Sequence, residues 1–180
     1  MITDRERETA LALLARSRTA VLKAVDGVTD EQARWRPAPE RWSILEYIEH
    51  LAVSDDGLVA LVKRSLETPA HLETEDERRA REQKIRATPI PRGVNHAPEN
   101  LKPVARFDSL ADAVAAFLAA RERTIAFAQS TTDDLRSHFA PHPVLGQMDG
   151  YQWLCGNARH AENHAAHVME IRGMTEFPRT

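Results

Sequence analysis

Apolar residues recur at three- and four-residue steps over four stretches of the chain, the period of a helix that buries one face. The first stretch runs from about Asp4 to Val25 and places Leu11, Leu14, Val21, Leu22 and Val25 on one stripe. Thr3 stands as its N-cap, with Glu6 three residues on, the spacing of a capping box. The second opens at Ser43, which Glu46 follows at the same spacing, and continues through Ile44, Ile48, Leu51, Leu58, Val62 and Leu66 until Thr68-Pro69 ends it. The third starts after Ser109 with LADAVAAFLAARERTIAFA, whose alanine and leucine content favours helix. The fourth begins near Gly150 and carries Tyr151, Trp153, Leu154, His160, His164 and Ile171 to a C-cap at Gly173. Nothing reads as a strand.

Helices of roughly 18 to 25 residues are about 27 to 38 Å long, and four of them suit an antiparallel bundle. The expected fold is therefore all-α, a four-helix bundle in one domain over residues 1–180. The connections are unequal. DGVTDEQARWRPAPER, between the first two helices, reads as an ordered crossing loop because it holds two prolines and Trp35. The second connection is far longer and runs through TEDERRAREQKIR, read as a short, solvated, exposed helix laced with ion pairs, and then the proline-rich PIPRGVNHAPENLKP. A connection of that length in a small domain caps a site or crosses the end of the bundle. HFAPHPVLGQMDG, before the fourth helix, reads as irregular.

Composition narrows the function classes. The chain is 42% apolar and 28% charged, with a formal net charge of −3. Acids outnumber bases, so the concentrated Lys/Arg surface that a nucleic-acid partner requires is missing, and anionic lipid is not attracted. No apolar run approaches the roughly 20 residues needed to span a bilayer. MITDRERETA lacks an apolar secretory core, and a lone cysteine, Cys155, fits a reducing compartment. The expectation is a cytoplasmic protein without nucleic-acid or membrane partners.

The candidate chemistry sits in RHAENHAAHVMEIRG, where His160, His164 and His167 fall within eight residues. Helical residues advance about 100° each, so these rings share one face, together with Trp153, Gly156 and Ile171. Uncharged imidazoles buried without partners are costly, and several protonated ones would repel; a bound cation removes both problems. A pair at i and i+4 presents two nitrogens to adjacent positions on one ion. The third ligand has to come from a facing helix, and His50, in the middle of WSILEYIEHLAVSDD with Gly57 leaving room beside it, is the best supply. The glutamate of HAENH, Glu162, lies about 200° round the helix from His160, so a zincin arrangement is excluded on geometry. Cys155, about 140° away from His160, reads as a small apolar core residue. His167 reads as a flanking residue behind the ligands. Glu46, one turn before His50, is the candidate proton-accepting carboxylate. Each residue also has a plainer reading: a single histidine on a half-apolar face is more often a hydrogen-bonded core residue than a ligand, and Trp35, Trp42 and Trp153 are most simply core. His71, His96, His138 and His142 fall in loops, with His142 placed to line the mouth of a cavity.

RPAPERWSILEYIEHLAVSDD resembles the second-helix signature of the DinB-like superfamily (DinB/YfiT-like), in which a Trp-Ser pair opens a helix ending in a His-Leu step. HPVLGQMDGYQWLCGNARHAENHAAHVMEIR resembles its C-terminal partner, where an i,i+4 histidine pair follows a Trp-Leu step. The resemblance implies up-down-down-up topology with the long crossover between the second and third helices. It also implies a divalent metal on His50, His160 and His164, with His167 standing where a glutamine is common.

Relatives include metal-dependent thiol transferases, isomerases and hydrolases. The expected function is thus that of a divalent-metal-dependent enzyme, zinc or nickel by imidazole preference, which activates a low-molecular-weight thiol or water. The alternative is a non-catalytic, stress-associated helical bundle whose metal is structural or absent. Three histidines without cysteine favour an open site over a closed structural one. Apolar surface on the first and third helices would support a homodimer.

Overall fold

Each long helix begins where a side-chain oxygen can accept from a backbone amide that has no carbonyl partner. Thr3 accepts from the Glu6 amide and Ser43 from the Glu46 amide, and in both cases the glutamate returns the bond, closing a capping box. Ser109 caps the third long helix and Asp149 the fourth. The computed structural model describes residues 1–88 and 97–179. Their elements are α1 (Asp4–Val25), α2 (Asp30–Arg34), α3 (Ile44–Leu66), α4 (Glu75–Ala87), a 3-10 turn at Glu99–Leu101, α5 (Leu110–Ser130), strands β1 (Phe139–His142) and β2 (Gly146–Asp149), and α6 (Gly150–Arg172).

The four long helices are those expected from the periodicity. α3 packs most extensively on α5 and α1 on α6. Contacts along these pairs give the direction of each helix. Ile44, Ile48 and Leu51 share one apolar cluster with Leu110, Ala113 and Phe117 while Leu58 and Val62 share another with Ala128, so α3 and α5 run parallel; Arg16 pairs with Glu162 and Arg172 donates to the Ala24 carbonyl, so α1 and α6 run parallel. His50 meets His160 while the Gly150 end of α6 lies against Val62, so α3 and α6 are antiparallel. The order is up-down-down-up, with the crossover between α3 and α5.

Two apolar clusters fill the bundle. One holds Val21, Ile44, Ile48, Leu51, Phe117, Val168 and Ile171, and the other Leu14, Leu58, Val62, Leu135 and Leu154. A polar layer divides them. Arg121 and Asp55, 0% and 1% exposed, pair at 2.7 Å, with Ser17 accepting from Arg121 and Thr124 donating to Asp55. Trp35 and Trp42 pack against the first cluster and Trp153 against the second, each half-buried rather than central.

Several elements differ from the periodicity reading. Leu14, Val21 and Val25 are buried as expected, but Leu11 is half-buried and Leu22 is 38% exposed, and Ala10, Ser17 and Ala24 complete the buried stripe of α1. The crossing loop contains α2, whose Thr29 and Gln32 form their own capping box. HFAPHPVLGQMDG is a β-hairpin with Phe139 opposite Asp149 and His142 opposite Gly146, its tight turn made possible by Gly146 at φ +77°. TEDERRAREQKIR is helical, but one face is docked rather than solvated. Arg81 pairs with Glu73 and Asp149, and Arg136 gathers Asp149, Glu82 and Glu6, which ties α4 and the hairpin to the start of α1. Only its outer pairs, such as Arg79 with Glu75, lie in solvent. His96 and the whole of PIPRGVN fall outside the described residues.

Candidate metal centre

His50 projects from the middle of α3, held between buried Ile48 and Leu51; His160 and His164 project one turn apart from the facing side of α6. The antiparallel crossing brings the three rings together. The Nε2 atoms of His50 and His160 are 3.1 Å apart and those of His164 and His160 are 2.9 Å apart. One ligand nitrogen from each ring lies within 4.8 Å of the other two.

Protons alone satisfy this arrangement poorly. His50 Nδ1 donates to the Leu101 carbonyl at 2.8 Å, which leaves Nε2 as a lone pair in the neutral ring. A single Nε2–H on His160 would then have to serve both neighbours, and His164 Nδ1 is buried without a hydrogen-bond partner. A cation between the rings resolves the convergence. Zn–N bonds of about 2.0–2.1 Å give nitrogen–nitrogen edges of about 2.9 Å in an octahedral and about 3.3 Å in a tetrahedral arrangement, which brackets the observed separations. The residues present fit a divalent ion.

Electrostatics agrees with the geometry. Burial lowers the His50 pKa, against a smaller opposing effect of the Leu101 carbonyl. Burial takes His160 down to about 3, helped by repulsion from His50 and His142, and puts His164 well below the ordinary range, helped by His160 and His50. All three rings are therefore neutral near pH 7, the form that ligates. Trp42 covers them from outside, its ring centroid 5.0 Å from that of His50, and Tyr47 packs at 5.2 Å from His164.

The other candidate residues are distributed differently. His167 stacks on Tyr47 at 5.7 Å and its Nδ1 lies 3.3 Å from Glu170, so it flanks His164 from behind. Glu46 is engaged at the helix end: one oxygen accepts from the Ser43 amide and the other from Arg36, so its carboxylate caps α3 and is turned to these partners rather than to the imidazoles. Gly57 faces open space near the surface, with no neighbouring group packed where a Cβ would stand. Glu162 pairs with Arg16, away from the rings, as its helical angle requires. The Cys155 thiol is pushed up to about 11 by burial and stands outside the cluster. His142 sits at the end of β1, where Nδ1 accepts from the Val144 and Leu145 amides and the ring packs on Trp153 at 5.1 Å.

One residue of the site escapes the periodicity reading. Glu49, 1% exposed, is an acid between buried Ile48 and His50, and no local pattern in the sequence separates it from a solvated glutamate. It accepts from Val104 and Arg106 and so holds the segment that carries Leu101.

Fold and site together define a helical bundle with a half-buried three-histidine centre between antiparallel helices. A profile of the DinB superfamily matches residues 13–168, and the chain belongs to that superfamily. It is 23% identical over 166 residues to the uncharacterized protein YuaE of Bacillus subtilis (strain 168), covering 92% of this chain and 99% of that one. It also superposes on the solved structure of YfiT from Bacillus subtilis with a TM-score of 0.62 at 18% identity, over 95% of this chain and 88% of the other. YfiT is described as a probable metal-dependent hydrolase with an unusual four-helix bundle topology. Among the described residues, no helix is long and apolar enough to cross a membrane.

Proposed function

We propose that His50, His160 and His164 hold one divalent ion, zinc or nickel, and that the chain is a metal-dependent enzyme whose nucleophile is a small thiol or water. The observation that carries this reading is the convergence of three neutral imidazoles, with Nε2 separations of 2.9 and 3.1 Å and a polar demand that protons meet poorly. Three protein ligands without cysteine leave coordination positions free, the pattern of catalytic rather than structural sites. A divalent ion there would lower the pKa of a water or thiol beside it, making it nucleophilic near neutral pH.

The chain's own residues supply the rest. Burial keeps the ligands unprotonated, the Leu101 carbonyl orients His50, and Trp42 and Tyr47 shield the rings from solvent on one side. Glu46, spent on the helix cap, is not assigned proton transfer in this reading; His167 backs His164 through Tyr47. The description of YfiT supports the hydrolase branch. The lone, half-buried Cys155 is compatible with a reducing cytoplasm.

The test compares thiol consumption with model electrophiles and hydrolysis of activated esters or amides, before and after chelation and after restoring zinc or nickel. Turnover that chelation removes and metal restores, in either assay, supports the reading. Activity indifferent to chelation, or unchanged in His160→Ala, would refute it.

A further inference from the structure

Adjacent residues of α3 reach the same connecting segment in two different ways. His50 Nδ1 donates to the Leu101 carbonyl at 2.8 Å. Glu49, one residue earlier, receives the Val104 amide at 2.7 Å, the Arg106 amide at 3.2 Å and the Arg106 guanidinium at 2.7 Å. The residue between those two amides, Ala105, has φ +59°, the one non-glycine positive φ among the described residues. A side chain in the left-handed region persists where its surroundings over-determine it. Here the two flanking N–H groups converge on one buried carboxylate, which gives the strain a cause.

We propose that Glu49 is a positioning residue for the metal centre: it wraps residues 102–106 around its carboxylate and thereby sets the Leu101 carbonyl against His50 Nδ1, leaving the Nε2 lone pair turned to His160 and His164. The 3-10 turn joins the two contacts. Leu101 donates to the Pro98 carbonyl at 2.8 Å and Lys102 to that of Glu99 at 3.2 Å, while the Lys102 carbonyl accepts from Arg106 at 3.2 Å. Residues 98–106 form a closed piece of backbone with its two outward attachments on one turn of α3. Partners behind a histidine ligand fix its tautomer and ring orientation, and their loss typically weakens metal binding 10- to 100-fold.

The inference rests on the proposed metal site, and the experiment separates the two. Ring 15N NMR of the metal-free protein reads the His50 tautomer, and competition titration with Zn²⁺ reads affinity. Wild type should show His50 protonated at Nδ1. Glu49→Ala should mix the tautomers and weaken Zn²⁺ binding about 10- to 100-fold. Ala105→Val, which disturbs the left-handed residue without touching α3, should move both readings the same way should Glu49→Ala fail to fold. Ala105→Gly should keep both at wild type. An unchanged tautomer with unchanged affinity in Glu49→Ala and Ala105→Val overturns the assignment while leaving the metal site standing. If wild type takes up no ion, the proposed function fails, and the tautomer comparison alone still decides what Glu49 does.

Discussion

The depressed histidines make the stability of the metal-free protein depend on pH in a calculable direction. His160 has a folded pKa of about 3, against about 6.5 in an unfolded chain. Above pH 6.5 neither state binds the proton and the group contributes no slope. Below it the unfolded chain takes up a proton that the native site refuses, so stability falls as pH falls, through the whole window from about 6.5 to about 3. The slope is about 1.4 kcal/mol per pH unit for one histidine, so lowering pH from 6.5 to 5 costs roughly 2 kcal/mol through His160 alone. His50 and His164 are shifted in the same direction and add to it.

Asp55 and Asp149, raised by burial, act in the opposite sense, because the native state then binds the proton more readily than the unfolded one. The informative quantity is accordingly the difference between wild type and His160→Gln. Urea denaturation of both chelated proteins at pH 7.5, 6.5, 5.5 and 5.0 should show a steeper loss in wild type, by roughly 2 kcal/mol between pH 6.5 and 5.0. Parallel pH profiles would mean that His160 protonates as freely in the fold as outside it, and the buried, neutral site would be refuted.

Other perturbations test the frame that holds the site. Asp55→Ala leaves Arg121 charged and uncompensated at 0% exposure, and should cost about 3–5 kcal/mol by chemical denaturation. Asp149→Ala removes the α6 cap and a carboxylate shared by Arg81 and Arg136; a loss of about 3 kcal/mol is expected, with α4 amides losing hydrogen-exchange protection first. Cys155, with its thiol held near 11, should react with iodoacetamide at pH 8 far more slowly in the native protein than after denaturation, as mass spectrometry would show.

What the sequence makes legible follows the range of the interactions concerned. Caps are local: Thr3 with Glu6 and Ser43 with Glu46 sit three residues apart, and the helix starts they announce are the ones observed. The histidine face is legible for the same reason, since α6 geometry alone puts His160 beside His164, while pairing them with His50 needed the antiparallel packing of a bundle. α2 carried a local signal in Thr29 and Gln32, but five residues have no period to read.

The hairpin failed for a different reason. Pro141 and a four-residue strand give no alternation, and β1 exists only through its pairing with β2. Long-range polar contacts left no trace at all. Arg81 and Asp149 are 68 residues apart and Glu49 and Arg106 are 57, so nothing local distinguishes these docked charges from solvated ones. Glu46 shows the converse, a local bond already claiming a carboxylate that proximity to His50 had suggested for chemistry.

The central claim is that three imidazoles on α3 and α6 chelate one ion. Elemental analysis of protein purified without chelator and then equilibrated with Zn²⁺ or Ni²⁺, with X-ray absorption at the metal edge, measures it directly. One ion per chain bound through three imidazole nitrogens, and none retained by His160→Ala, is the expected result. A wild type that stays metal-free after equilibration, or that holds its ion through other ligands, would contradict it.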